Sequence, residues 1–131
     1  MFRTWITLVS LFGAVGVALA AWSSHGLASF IPAEQLAVAA ERARAASLHH
    51  LLHTLALFGV ALWSRQAPSG WLNLAGGLFS LGILCFAGGI YVLRIFAGIH
   101  TGPLINVVPF GGFCLIGGWL ALGVAGWKSR C

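Results

Sequence analysis

Residues 71–93 read WLNLAGGLFSLGILCFAGGIYVL, which is 23 positions from Trp71 to Leu93 without a single charge. Wound as an α-helix at about 1.5 Å per residue, that stretch reaches about 35 Å, enough to cross a hydrocarbon core of about 30 Å. Three more stretches have the same character. Trp5 to Trp22 gives 18 uncharged residues, Ala45 to Trp63 gives 19 and Pro103 to Trp127 gives 25. Trp5, Trp22, Trp63, Trp71 and Trp127 stand at or near the ends of these spans, where indoles meet the headgroups. The sequence therefore predicts an all-α integral membrane bundle of four transmembrane helices, one domain over residues 1–131.

Composition excludes the other classes. Of 131 residues, 60% are apolar and 7% charged, against roughly a quarter charged in soluble domains. No ordinary soluble fold can be clothed with so few charges. The net charge of +5 raises the question of nucleic acid. However, Arg3, Arg42, Arg44, Arg65, Arg94, Lys128 and Arg130 are scattered at span ends and form no basic run, so no nucleic-acid partner is expected. The three cysteines, Cys85, Cys114 and Cys131, show no metal-ligand spacing. Arg3, the following apolar run and Ala18-Leu19-Ala20 also resemble a secretory signal; an uncleaved first helix is the expectation.

The loops set the topology. Residues 65–70, with Pro68, Ser69 and Gly70, form a tight turn, and residues 95–102 a second short one. The first connection is longer. Pro32 suits a helix start and Glu34 its first turn, so a helix over 32–44, lying at the interface, is expected to run on into the second span. Arg3, Arg65, Lys128 and Arg130 then share one side, here called proximal. Arg42, Arg44 and Arg94 lie on the distal side. Four cations against three lean towards both termini in the cytoplasm.

Eighteen glycines would weaken soluble helices, yet they let membrane helices approach closely. Ala14/Ala18, Gly76/Ser80 and Cys114/Gly118 are small-xxx-small pairs. Gly111-Gly112 and Gly117-Gly118 make the last helix thin on one side. Pro109, inside that span, is expected to remove an interior hydrogen bond and kink it.

The polar residues gather distally. His25 ends the first span. His49, His50 and His53 open the second, with His49 and His53 on one face and His50 about 100° away. Tyr91 and Arg94 end the third, and His100 and Asn106 lie just before and at the start of the fourth. Ionisable groups at membrane depth are functional candidates. One reading is that neutral imidazoles tie the first three helices together. A second is a quinone or lipid-headgroup site capped by Arg94 and Tyr91. A third is haem or a divalent metal held by His25, His49 and His53, although no carboxylate ligand accompanies them. No nucleophile stands in a catalytic setting, so no enzyme is expected. A small oligomeric transporter is a minor alternative, because both acids, Glu34 and Glu41, fall outside the spans.

Four motifs resemble a known family. Ala21-Trp22-Ser23-Ser24-His25-Gly26-Leu27 is similar to its "GAFGAHGL" segment, and His50 to Leu57 to its "YHxLHxLAL" segment. Phe86 to Tyr91 resembles "LFSGSLY", and Val108-Pro109-Phe110-Gly111-Gly112 with Gly117-Gly118-Trp119 resembles "TPxGG…AGW". This is the small membrane-protein family called domain of unknown function 423, with bacterial inner-membrane and animal members. The resemblance implies a four-helix inner-membrane protein of unassigned activity and draws attention to His25, His53, Tyr91, Pro109 and Gly111-Gly112. This chain departs from it in lacking hydroxyls at Ala87, Gly89 and Val108, and in carrying His49 where tyrosine is common. The expected role is structural or accessory, packing against the lipid bilayer and against a membrane-protein complex or a second copy.

Overall fold

The computed structural model describes residues 1–129; Arg130 and Cys131, which entered the charge and cysteine arguments above, lie outside them. Four helices are long and apolar enough to cross a membrane. They are α1 (Phe2–His25), α2 (Ala33–Gln66), α3 (Gly70–Phe96) and α4 (Val107–Lys128). Short 3-10 turns at Leu27–Ser29 and Pro103–Asn106 lead into α2 and α4. The chain is an all-α membrane bundle, with no strand among the described residues.

Local chemistry sets the helix ends. Pro32 stands just before α2, whose 34 residues join the interfacial stretch and the second span without a break. The Ser69 hydroxyl caps α3 by accepting from the Leu72 N–H at 3.2 Å, replacing a partner that the first turn lacks. At the other end of α3, Gly98 has φ +63°, a left-handed conformation that glycine adopts without steric cost. The turn lets Ile99 N–H reach the Leu93 carbonyl at 2.8 Å. Pro109 falls in the first turn of α4. There its missing N–H is one that a helix start leaves unpaired anyway, so the expected loss of an interior bond is corrected.

The third span is not uniformly α-helical. It is α over Gly70–Gly82 and π-wound over Ile83–Ala87 and Ile90–Phe96. Each wider turn admits an extra residue, which re-aims the distal end of α3 relative to an ideal helix.

Glycines decide how closely α3 and α4 approach. A Cβ at Gly111 would strike the Phe86 backbone nitrogen, and one at Gly118 would sit 2.6 Å from the Phe79 ring. Gly117 touches Leu78, and Gly112 lies in ordinary contact with the Phe86 ring. Cys114 is buried beside them. Gly76 serves another neighbour: the Trp5 indole of α1 crosses it, 2.8 Å from where a Cβ would stand. Ser80 turns its hydroxyl back to the Gly76 carbonyl at 2.8 Å, within α3. Ala14 and Ala18 do not pack inside the bundle. Both are exposed, and Gly16 between them meets His50 and Leu51 of α2.

Two cores result. Leu57, Val60, Leu72, Phe79, Ile83 and Leu115 fill the middle and proximal part, while Leu27, Ala43, Ala46, Ile90, Tyr91 and Ile95 fill the distal part. Helix α1 is peripheral. Only 6% of its most apolar window is buried, against 33–44% for the other three helices.

Candidate functional site

The polar side chains divide into an inner set that ties helices together and an outer set at the distal rim. His53 belongs to the first. It is buried, and its Nδ1 lies 2.7 Å from the His49 carbonyl one turn earlier. Trp119 Nε1–H of α4 donates to His53 Nε2 at 3.2 Å. A carbonyl only accepts and an indole N–H only donates. Together they fix the neutral ring with its proton on Nδ1. Phe79 and Trp119 close around the ring at 5.8 and 6.1 Å between centroids.

His50 faces the other way, as its angular offset requires. Its Nε2 donates to the Phe12 carbonyl of α1 at 2.9 Å. The inner histidines thus tie α2 to α1 and to α4, rather than joining the first three helices alone. His49 stacks on His53 at 5.7 Å and meets the Phe86 ring edgewise at 5.0 Å. Its Nδ1 is buried without a partner. The Tyr91 hydroxyl bonds the Ser47 hydroxyl and reaches the Ala43 carbonyl at 3.5 Å, joining α3 to α2.

The depth of these groups differs from one tight distal cluster. Trp119 stands 12 residues into α4, about 18 Å from its distal end, so its partner His53 lies in mid-bundle. His25 and Asn106 are exposed at the distal rim. Among the described residues, no three His, Cys, Asp or Glu side chains come close enough to hold a metal ion. His25, His49 and His53 are therefore not assembled into one ligand set for a metal.

The outer set joins the expected candidates Arg94 and His100 to Arg42, which the sequence marked only as a span-end charge. Arg42 Nη1 donates to His100 Nδ1 at 3.3 Å. Arg94 stands in the same groove, between the outer part of α2 and the end of α3, with Glu34 and Gln35. Its Nε is buried without a partner. Nothing in the sequence pairs Arg42 with His100, 58 positions away; the Gly98 turn makes that juxtaposition. Trp119 and Ser47 were also missed as partners, since each depends on the rotation of a distant helix.

Residues 19–112 match the family described as "Protein of unknown function (DUF423)". The chain belongs to this family. The DUF423 match runs from the end of α1 to the first turns of α4, taking in His25, all of α2 and the whole distal groove. The chain is also similar to named membrane proteins. A UPF0382 membrane protein of Haemophilus influenzae is 30% identical, covering 99% of this chain and 98% of that protein. The UPF0382 membrane protein YwdK of Bacillus subtilis is 31% identical, covering 96% and 98%. The UPF0382 inner membrane protein YgdD of Escherichia coli K12 is 26% identical, covering 89% and 84%. No solved structure matches the chain. Membership of DUF423 attaches no activity to the chain, and none of these relatives carries an enzymatic name.

Proposed function

We propose that this DUF423 chain is a non-catalytic accessory protein of the bacterial inner membrane, which docks a transmembrane helix of another chain against α1. The low burial of α1 carries this reading. Its window is 6% buried, and its small-residue pair, Ala14 and Ala18, is exposed instead of being used within the bundle. Such pairs favour close helix–helix approach in lipid, where apolar surface alone gives little drive. The inner polar groups support a non-catalytic role, because His50, His53 and Tyr91 are engaged in interhelical bonds. The inner-membrane name of the Escherichia coli relative YgdD supports that location. The cation count favours cytoplasmic termini.

A photo-crosslinking side chain placed at Val15 or Val17 of α1, in native membranes, tests the docking. Both positions are outward-facing, at 49% and 61% exposure. A discrete protein adduct is expected from them and none from Phe113, which is more outward still on α4, at 73%. An adduct of twice 13.8 kDa would make the partner helix that of a second copy. Lipid adducts alone at all three positions would overturn the reading.

The haem and metal alternative gains no support from the separated histidines. Transport gains none from spans that carry no acid, since Glu34 and Glu41 both lie in the outer part of α2.

A further inference from the structure

We infer that the distal groove between the outer part of α2 and the end of α3 binds the phosphodiester of an anionic phospholipid. The inference is independent of the α1 docking reading. The groove encloses about 290 Å³, and its polar chemistry is cationic. Arg42 and Arg94 both line it, and His100 closes one side. Arg42 Nη1 is a donor only, so His100 Nδ1 must accept. The imidazole proton is then on Nε2, which remains available as a further donor.

Arg94 supplies the second observation. The Arg94 Nε is shut away from solvent without a partner, a condition that only His49 Nδ1, deeper in the bundle, shares among the described residues. A buried donor left unpaired is costly, and a guanidinium fork matches two oxygens of a phosphate. A modest rotation of that fork towards the groove would give it such a pair. The α2 N-terminus adds positive potential at the groove mouth, because Pro32 offers no side-chain cap to the first N–H groups.

One acid opposes this. Glu34 lies on the same face of α2 as Arg42, two turns away and about 12 Å along the axis. It is exposed at the mouth, where it lowers affinity for an anion without neutralising the two arginines.

The level of the groove selects a lipid over a soluble oxyanion. Val38 and Ile95 give it apolar walls. On the neighbouring face of α3, Trp22 stacks on Phe96 at 5.0 Å, an aromatic pair suited to headgroup depth. Basic pockets between transmembrane helices at that depth recognise anionic headgroups.

Native mass spectrometry of the full chain in mild detergent, with phosphatidylglycerol or phosphatidylcholine added, tests the assignment. One phosphatidylglycerol should be retained about tenfold more tightly than phosphatidylcholine. Arg42→Gln and Arg94→Gln should each weaken it by about tenfold, the scale of one lost charge-assisted bond. Glu34→Gln should tighten it, and Arg65→Gln, on the proximal side, should leave it unchanged. Equal retention of the two lipids, or an Arg94→Gln effect no greater than that of Arg65→Gln, would overturn the proposal. Displacement of phosphatidylglycerol by millimolar inorganic phosphate would also overturn it, by making the ligand a soluble oxyanion. If Arg94→Gln fails to fold by size-exclusion and circular dichroism, the opposite shifts expected for Arg42→Gln and Glu34→Gln still decide the matter.

Discussion

His53 is held by two bonds that together choose its proton, and neither partner can exchange roles. Removing the ring orphans the Trp119 N–H in a setting without ready water, so His53→Phe should cost about 1–3 kcal/mol. The bond itself is worth less than that loss, because polar pairs between membrane helices contribute roughly 0.5–1.5 kcal/mol. A double-mutant cycle over His53→Phe and Trp119→Phe, read by reversible unfolding in mixed micelles, should return a coupling of about that size. Additive losses would mean that the indole and imidazole do not bond. His25→Ala, at an exposed position, should stay within about 0.5 kcal/mol of the parent. The sequence already placed His49 and His53 on one face and His50 on another, because helical spacing alone sets those angles. It could not pair His53 with Trp119, since 66 positions separate them and only the rotation of α4 brings the indole N–H against α2.

The α3–α4 contact shows which glycines are structural and which are incidental. Gly111 abuts the backbone of Cys85 and Phe86, whereas Gly77 and Gly123 have nothing within 4 Å of an added Cβ. A backbone neighbour cannot swing aside as a side-chain tip can. Gly111→Ala should therefore force the helices apart and destabilise the bundle by about 1–3 kcal/mol. Gly123→Ala should be neutral or gain up to about 1 kcal/mol through helix propensity. Equal effects of the two substitutions, measured by thermal melting in detergent, would contradict this packing. The thin faces were legible as glycine runs, but their partners were not. Composition likewise gives no sign of the π turns at Ile83–Ala87 and Ile90–Phe96. One extra residue moves a side chain by about 100° around a helix axis, so α-helical periodicity could not place Tyr91, Arg94 and Ile95 correctly.

Sidedness belongs to the whole molecule, and two contacts at the proximal end hold it together. The Arg65 guanidinium lies over the Phe2 ring at 5.6 Å, joining the end of α2 to the start of α1. Lys128 Nζ lies over Trp71 at 5.1 Å, joining the end of α4 to the start of α3. Arg42 with His100 and Trp22 with Phe96 do the same at the distal end. Alternation of four spans was legible from hydropathy alone, and these contacts agree with it. Arg3, Arg65, Lys128 and Arg130 on the proximal side stand against Arg42, Arg44 and Arg94 on the distal side, and the excess of cations favours the cytoplasmic face. Both termini are therefore expected in the cytoplasm, with the groove of Arg42 and Arg94 facing the outer leaflet. Green fluorescent protein fused to the C-terminus should fluoresce, and alkaline phosphatase fused at the same point should stay inactive. Active phosphatase with a dark fluorescent fusion would reverse the orientation, and the same lipid groove would then face the cytoplasmic leaflet.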